Sequence, residues 1–418
     1  MKLFQERLAQ GQAVSTEWIE TTLRTALLQD GRGLLERLLT QVPASEVTLQ
    51  PGQRRYRDRP CEVLSIFGPL TLCRDYYHPP GPNSGFPLDR TLGLIGGCTP
   101  GAARMLGRTA AQLPYLESSE QLAELAGLKV EPSQIQRLVQ LLGPPAEGRL
   151  VQLPGPAPKP VPQFYVSVDG TGVPMIRSEL EGRAGRGPDG KAKTREVKLA
   201  ALFTQTTTDA EGHPVRDPQS TTYLGNFAGS DEFGVLVRQA ALERGMAQAS
   251  HVIYLGDGAA WVWEIARTCF PQATQILDYY HASEHVANLA KAVYVDAGTA
   301  QNWAIRWQSL LYDSELDLLL AEVRAIAGAM DSEEVKKQLN YLEHNQSRMD
   351  YCLYRQKGWF IGSGVVEAGC KRVVGQRLKQ SGMFWTETGA TAVLSLRCAL
   401  LSAGGWDYLW SRPMLSAA

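Results

Sequence analysis

Three carboxylates in this 418-residue sequence fall where chemistry could be done. Asp169 follows the apolar run Phe164-Tyr165-Val166-Ser167-Val168, and Asp257 follows a second run, His251-Val252-Ile253-Tyr254-Leu255-Gly256. Both precede a glycine, but Asp-Gly is a common turn pair that also occurs here at Asp30 and Asp189. Only Asp169 and Asp257 stand at the end of a run long and apolar enough for a buried strand. Taken singly, a structural turn accounts for either one equally well. Glu367 changes the balance, because it lies on the first turns of a helix expected after Gly362-Ser363-Gly364. Laid across a sheet, that helix would bring Glu367 beside both aspartates. Carboxylates gathered within about 4 Å across a pair of sites suit two hard cations such as Mg²⁺, which take oxygen ligands and clamp both the attacking and leaving oxygens of a phosphoryl transfer.

Two further residues fall nearby. Asp278 ends the short run Gln275-Ile276-Leu277, and His281 makes with it an Asp-x-x-His pair. A strand-end aspartate capping a helix explains that spacing as well as a functional role does. His285 lies four residues on and shares the helical face of His281, but no third ligand for a two-histidine metal pair is evident.

The elements that must position these groups follow from periodicity. Strands are expected at 164–168, 197–203 and, more weakly, 221–224; then a helix at 231–244, a strand at 251–255, a helix at 261–269 and a strand at 275–277. Three strands followed by helix, strand, helix, strand is the order of a ribonuclease H-like mixed sheet, so the fold class is α/β. The core's first part spans 164–285, a helical insertion spans 286–360, and the Glu367 helix with further C-terminal helices occupies 361–418.

Upstream, residues 1–90 read as a small α+β domain. Leu23, Leu27, Leu28, Leu34, Leu35, Leu38 and Leu39 have helical spacing, and Val63 to Leu72 suggests two strands joined by a Gly68-Pro69 turn. A polar break at 79–85 leads to a helical region, 91–150. Within it, Ser118 to Leu128 and Pro132 to Val139 have the form of helix, Gly-bearing turn and second helix, which suits either DNA binding in a major groove or an ordinary helical hairpin. Pro144-Pro145 and the Pro-rich stretch from Pro154 to Pro162 predict a stiff linker at 151–163.

Composition narrows the classes. With 44% apolar and 20% charged residues the chain is neither disordered nor fibrous. No apolar run reaches the roughly 18–20 residues that span a bilayer, and the first residues lack a signal-peptide stretch, so a cytoplasmic address is expected, with no membrane partner. The seven cysteines are scattered and never form Cys-x-x-Cys, which argues against a disulfide framework or a zinc site. A net charge of -1 counts against a nucleic-acid partner. Local clusters offset it: Arg54, Arg55, Arg57 and Arg59; Arg183, Arg186, Lys191, Lys193, Arg195 and Lys198; and Lys371, Arg372, Arg377 and Lys379. Such clusters are more often solvated faces than binding sites, so they permit DNA binding without showing it.

Four blocks carry a resemblance. Val-Asp-Gly-Thr-Gly-Val-Pro (168–174), Leu-Gly-Asp-Gly-Ala-Ala-Trp-Val-Trp (255–263), Ile-Leu-Asp-Tyr-Tyr-His-Ala-Ser-Glu-His (276–285) and Gly-Ser-Gly-Val-Val-Glu-Ala-Gly-Cys-Lys (362–371) resemble the signature blocks of bacterial insertion-sequence DDE transposases of the ISKra group. As an ordered set they are specific, and the similarity runs over nearly the whole chain. The resemblance implies Asp169, Asp257 and Glu367 as catalytic, metal-binding residues with two Mg²⁺ or Mn²⁺ ions. It implies Asp278 and His281 as accessory residues that orient the site or contact DNA beside the scissile bond. Its implied substrates are double-stranded DNA, as terminal inverted repeats and target, with a homo-oligomer assembling on that DNA in the nucleoid. Lys371, Arg372, Gln376, Arg377 and Lys379, on the helix after Glu367, are the expected phosphate contacts. The sequence departs from the family after Tyr76-Tyr77-His78, where many relatives carry a cysteine pair and this chain has Pro79-Pro80-Gly81; no zinc is expected. Two other readings remain: an element-derived DNA-binding protein without catalysis, and a ribonuclease H-like nuclease that cuts without joining.

Overall fold

The computed structural model describes residues 2–44, 47, 49, 51–78, 85–155, 161–180, 194–327, 330 and 332–412. They divide into two units, Met1–Pro145 with Trp410–Ala418, and Ala146–Leu409. The basic residues Arg183, Arg186, Lys191 and Lys193 lie outside the described residues.

In the first unit α1 (Lys2–Ala9) and α2 (Thr16–Thr40) precede an antiparallel pair, β1 (Arg54–Ser65) and β2 (Gly68–His78). The Ser15 hydroxyl caps α2 by accepting from the Trp18 N–H. β2 alternates buried and exposed residues, so one face is apolar, and Leu70 and Leu72 join Val63, Leu94 and the α2 residues Leu35 and Leu39 in a core. The tight turn is Ile66-Phe67 rather than Gly68-Pro69, since Ser65 pairs directly with Gly68. Ser65 Oγ accepts from Phe67 N at 3.1 Å and donates to the Gly68 carbonyl at 2.7 Å, while Gly68 takes a φ of 105° that only glycine adopts freely.

Helices α3 (Pro87–Leu92), α4 (Pro100–Gln112) and α5 (Tyr115–Gln121) follow. A π-helical turn, Leu122–Ala126, prolongs α5 to Gly127, whose φ of 68° ends it, and α6 (Pro132–Val151) is the second helix of the expected pair. One expectation changes here. Pro144-Pro145 lie inside α6 instead of opening a linker, although neither can donate an N–H to the carbonyl one turn back. The unit boundary falls directly after Pro145. The centre of the expected linker, 156–160, lies outside the described residues.

The second unit is α/β. β3 (Val161–Pro174), β4 (Thr194–Thr208), β5 (Pro214–Arg216), β6 (Thr222–Asn226), β7 (Ala249–Gly256) and β8 (Thr274–Leu277) form one mixed sheet. β4 is antiparallel to β3, β5 and β6, whereas β3, β7 and β8 run parallel, giving the order β6–β4–β3–β7–β8 with β5 on the same edge of β4 as β6. Parallel neighbours need crossovers. These are α7 (Ser230–Glu243), between β6 and β7, and α8 (Ala260–Cys269), between β7 and β8. Phe164, Tyr165, Val166, Ser167 and Val168 are all buried, as expected of a strand covered on both faces.

Beyond β8 the described elements are helical: α9 (Tyr279–Val293), α10 (Ala297–Tyr312), α11 (Leu316–Ala327), α12 (Glu333–Asn345) and α13 (Tyr351–Gln356). α14 (Gly364–Gly369) then passes through a π-helical turn, Cys370–Gly375, into α15 (Gln376–Leu378). The chain breaks at Gly382, φ 77°, before Thr386 caps α16 (Glu387–Leu401), and α17 (Gly405–Leu409) follows. Among the described residues no helix is long and apolar enough to cross a membrane.

Close packing at the end of β7 makes a sharp test. A Cβ on Gly256 would sit 2.4 Å from Val262 Cγ1, whereas one on Gly148, inside α6, meets nothing within 4 Å. Urea unfolding should show Gly256→Ala destabilised by about 1–3 kcal/mol through overpacking. Gly148→Ala should instead gain about 0.5–1 kcal/mol through helix propensity.

Candidate active site

The site forms where β3 outruns its parallel neighbour. The β3–β7 ladder ends at Ser167 and Leu255, leaving Asp169 two residues beyond it and Asp257 just past β7. Asp169 is not at a strand end as expected. β3 continues to Pro174 because β4 still pairs with it, through Asp169 opposite Leu199 and Gly170 opposite Lys198. Gly170 and Gly172 permit this: a Cβ on either would fall 2.6 Å from Glu196 Oε1 or 2.4 Å from Thr194 Oγ1.

Local hydrogen bonds aim each acid. Asp169 Oδ1 accepts from Gly170 N at 2.7 Å, and its carboxylate also accepts from the Cys370 thiol. Asp257 Oδ1 accepts from Ala259 N at 3.0 Å, while Tyr341 Oη donates to the Asp257 carbonyl at 2.7 Å. Gly258 takes a φ of 100°, and a Cβ there would lie 2.6 Å from that Tyr341 hydroxyl oxygen. Glu367 accepts at Oε1 from Ser363 Oγ at 2.9 Å. Its helix lies close on the sheet at Gly369, where a Cβ would meet the Tyr223 ring at 2.7 Å and Leu199 at 3.0 Å.

Asp278 is fully buried and bridges several elements. Its backbone N–H extends the sheet by donating to the Gly256 carbonyl at 2.8 Å. Oδ1 caps α9 by accepting from His281 N at 2.9 Å, and Oδ2 accepts from Ser363 N at the start of α14. The helix-cap reading of Asp278 therefore holds, and the same carboxylate reaches the Glu367 helix. His281 Nδ1 lies 3.4 Å from Asp278 Oδ1 as an ion pair rather than an aligned hydrogen bond.

Electrostatics tie these groups together. The Asp169 carboxyl is raised above its ordinary value, chiefly by burial, with the negative charges of Asp257 and Glu367 adding to the shift. Burial also pushes up the Cys370 thiol beside it. Burial would raise Asp278 too, but donors from His281 and Ser363 outweigh it and hold that carboxyl below the usual range. His281 is pushed up to about 9, mostly by the Asp278 side chain, with Asp257 and Glu367 contributing. Five residues thus lie in one field.

The close contacts within that field differ from expectation. The ligand atoms of Asp278, His281 and Glu367 lie within 4.8 Å of one another; Asp169, Asp257 and Glu367 do not form such a group among the described residues. Ser363 links two of these acids, its hydroxyl donating to Glu367 and its N–H to Asp278. The three expected ligands are hard oxygen donors, a set that fits Mg²⁺ or Mn²⁺. His285 is used differently, stacked on Tyr341 at 3.5 Å with Nδ1 2.5 Å from Gln338 Oε1. The glutamates on either side of Glu367 in sequence are engaged elsewhere, Glu343 with Arg324 and Glu387 with Arg195.

Of the expected phosphate contacts, Lys371, Arg372, Gln376 and Lys379 are exposed. Arg377 is a correction: it is 1% exposed, with its guanidinium 5.1 Å from the centre of the Trp385 ring, because helical geometry turns it inward with Val373, Val374 and Leu378. Lys379 Nζ donates to Thr171 Oγ1 on β3 at 2.5 Å, which places a cation on the Asp169 strand. Ser363, Cys370 and Tyr341 were not read from the sequence as site residues. Cys370, three residues after Glu367 on one helix, had a readable spacing; Tyr341 had none. No protein-family model matches the chain, and no curated protein matches it in sequence.

The His281 shift sets a pH dependence. A pKa raised from 6.5 to about 9 contributes stability fully present below about 6.5 and lost as pH rises through about 9. In chelator, the stability difference between the wild type and His281→Asn, followed by urea unfolding, should shrink across that window. A constant difference would show that His281 is not charged by this field.

Proposed function

We propose that the chain is a DDE-type DNA transposase. Asp169, Asp257 and Glu367 would hold divalent cations and carry out phosphodiester cleavage and strand transfer at the ends of an insertion sequence. The observation that carries this reading is the placement of three carboxylates, one on β3, one just past β7 and one on α14, near enough that the charges of Asp257 and Glu367 add to a rise in the Asp169 carboxyl that burial chiefly sets. The sheet order β6–β4–β3–β7–β8, antiparallel across its first three strands and parallel across its last, supports reading the second unit as ribonuclease H-like. The ordered sequence blocks support the transposase assignment within that class.

When bound, a pair of Mg²⁺ or Mn²⁺ ions supplies activation of the attacking oxygen and stabilisation of the leaving one. The chain's own residues do the rest. Asp169 and Asp257 place oxygen donors on rigid strands, and Glu367 brings a third from α14. Asp278 fixes the start of that helix and the His281 ring, which offers positive charge beside the acids. Lys371, Arg372, Gln376 and Lys379 present donors to the phosphates that flank the reacting one. The exposed Arg54, Arg57 and Arg59 on β1, together with the helix pair 115–151, are the candidate surfaces for end recognition.

The test uses a labelled duplex carrying the DNA that flanks the reading frame. Mg²⁺-dependent nicks and joined products are expected from the wild type. Glu367→Gln should lose both by orders of magnitude while gel-shift binding survives, because the change removes a ligand charge and little of the DNA-contacting surface. Circular dichroism controls for folding. Retained cleavage in a folded Glu367→Gln variant would remove Glu367 from the site, and cutting without joining would favour a nuclease.

A further inference from the structure

A cavity of about 830 Å³ in the second unit is lined by chain neighbours of Asp278 and Ser363, namely Tyr279, Tyr280, Gly362 and Gly364. Its walls include Tyr279, Tyr280, Tyr312, Trp359 and Phe360, with Arg355 among the polar groups. That volume falls within the roughly 300–1,000 Å³ of small-molecule pockets. The phosphoryl-transfer site itself does not use it.

Three features define what fits. Tyr280 is 68% exposed, so its ring is open to a partner, whereas the Tyr312 ring is covered by Arg355. Arg355 lies over the Tyr312 ring at 3.5 Å, donates to the Tyr312 carbonyl at 2.9 Å and pairs with Asp313 at 3.5 Å, while its Nε is shielded from solvent with no hydrogen-bond partner among the described residues. Gly362 joins the cavity to the acids: a Cβ there would sit 2.8 Å from the Tyr280 ring on one side and 3.8 Å from Asp278 Oδ2 on the other. An exposed aromatic ring in a cavity that also holds a planar cation suits a planar heteroaromatic ring. A strand whose phosphate reaches the acids carries such rings on either side.

We propose that this cavity receives an unpaired nucleobase of the DNA strand on which the carboxylates act, stacked on Tyr280. The assignment rests on the DNA reading given above. Stacking on an aromatic platform tolerates any base, so the pocket acts on strand geometry rather than on sequence. A base drawn from the duplex into it would open the helix beside the reacting phosphate and fix the strand's register against Glu367.

The experiment uses the full chain and a fluorescently labelled oligothymidine, with a labelled duplex as control, followed by anisotropy. Tyr280→Ala is expected to weaken single-strand binding about tenfold and leave duplex binding unchanged, and Tyr280→Phe, which keeps the ring, to bind as the wild type does. Because Tyr280 is exposed, its truncation leaves the core intact. As a second readout, 5-iododeoxyuridine in the oligonucleotide should photocrosslink to the cavity residues. Unchanged single-strand affinity in Tyr280→Ala, or crosslinks confined to other surfaces, would overturn the pocket while leaving the transposase reading in place. A wild type that binds neither DNA would overturn both.

Discussion

A buried carboxylate is costly unless every lone pair is answered, and the candidate site is organised around one such group. Asp278 is fully buried, yet its carboxyl is held below the ordinary range because two backbone N–H groups and the His281 ring converge on it. Those donors are the first turn of α9 and the start of α14. One side chain therefore fixes both helices against the end of β8. Removing it would leave buried N–H groups unsatisfied at two helix starts and release Glu367 and His281 together.

A second constraint is space. Helix α14 reaches the sheet only because Gly369 has no side chain to meet Tyr223 and Leu199, and the turn after β7 closes only because Gly256 and Gly258 leave room for Val262 and Tyr341. These contacts set the acids near one another; burial chiefly raises the Asp169 carboxyl, and the charges of Asp257 and Glu367 add to it. His281, as a cation, offsets part of that negative charge. A divalent ion would offset more, and the oxygen donors around it are of the type that hard cations take.

The parts legible in the sequence were those written in local patterns. Apolar runs before Asp169 and Asp257 marked β3 and β7, and the alternation of strands with helices marked the order of the sheet. β5 escaped because Pro214-Val215-Arg216 is too short for any periodicity. The extension of β3 past Asp169 escaped because Gly170, Gly172 and Pro174 read as breakers, and only the close approach of Glu196 and Thr194 shows why glycine is needed there. Pro144-Pro145 read as a linker because neither can donate the helical N–H, yet both lie inside α6. Arg377 read as surface because charge was weighed ahead of helical phase; its neighbours Val373, Val374 and Leu378 share the buried side. Ser363 and Tyr341 act through contacts with distant segments, which spacing alone does not reveal.

The central claim is that Asp169, Asp257 and Glu367 bind the ions that serve phosphoryl transfer. Anomalous diffraction from a crystal soaked in Mn²⁺ tests it most directly. Anomalous peaks ligated by oxygens of all three residues are expected. Peaks only at the exposed Asp209, Glu211 and His213 group, or none within reach of Asp169, would contradict it.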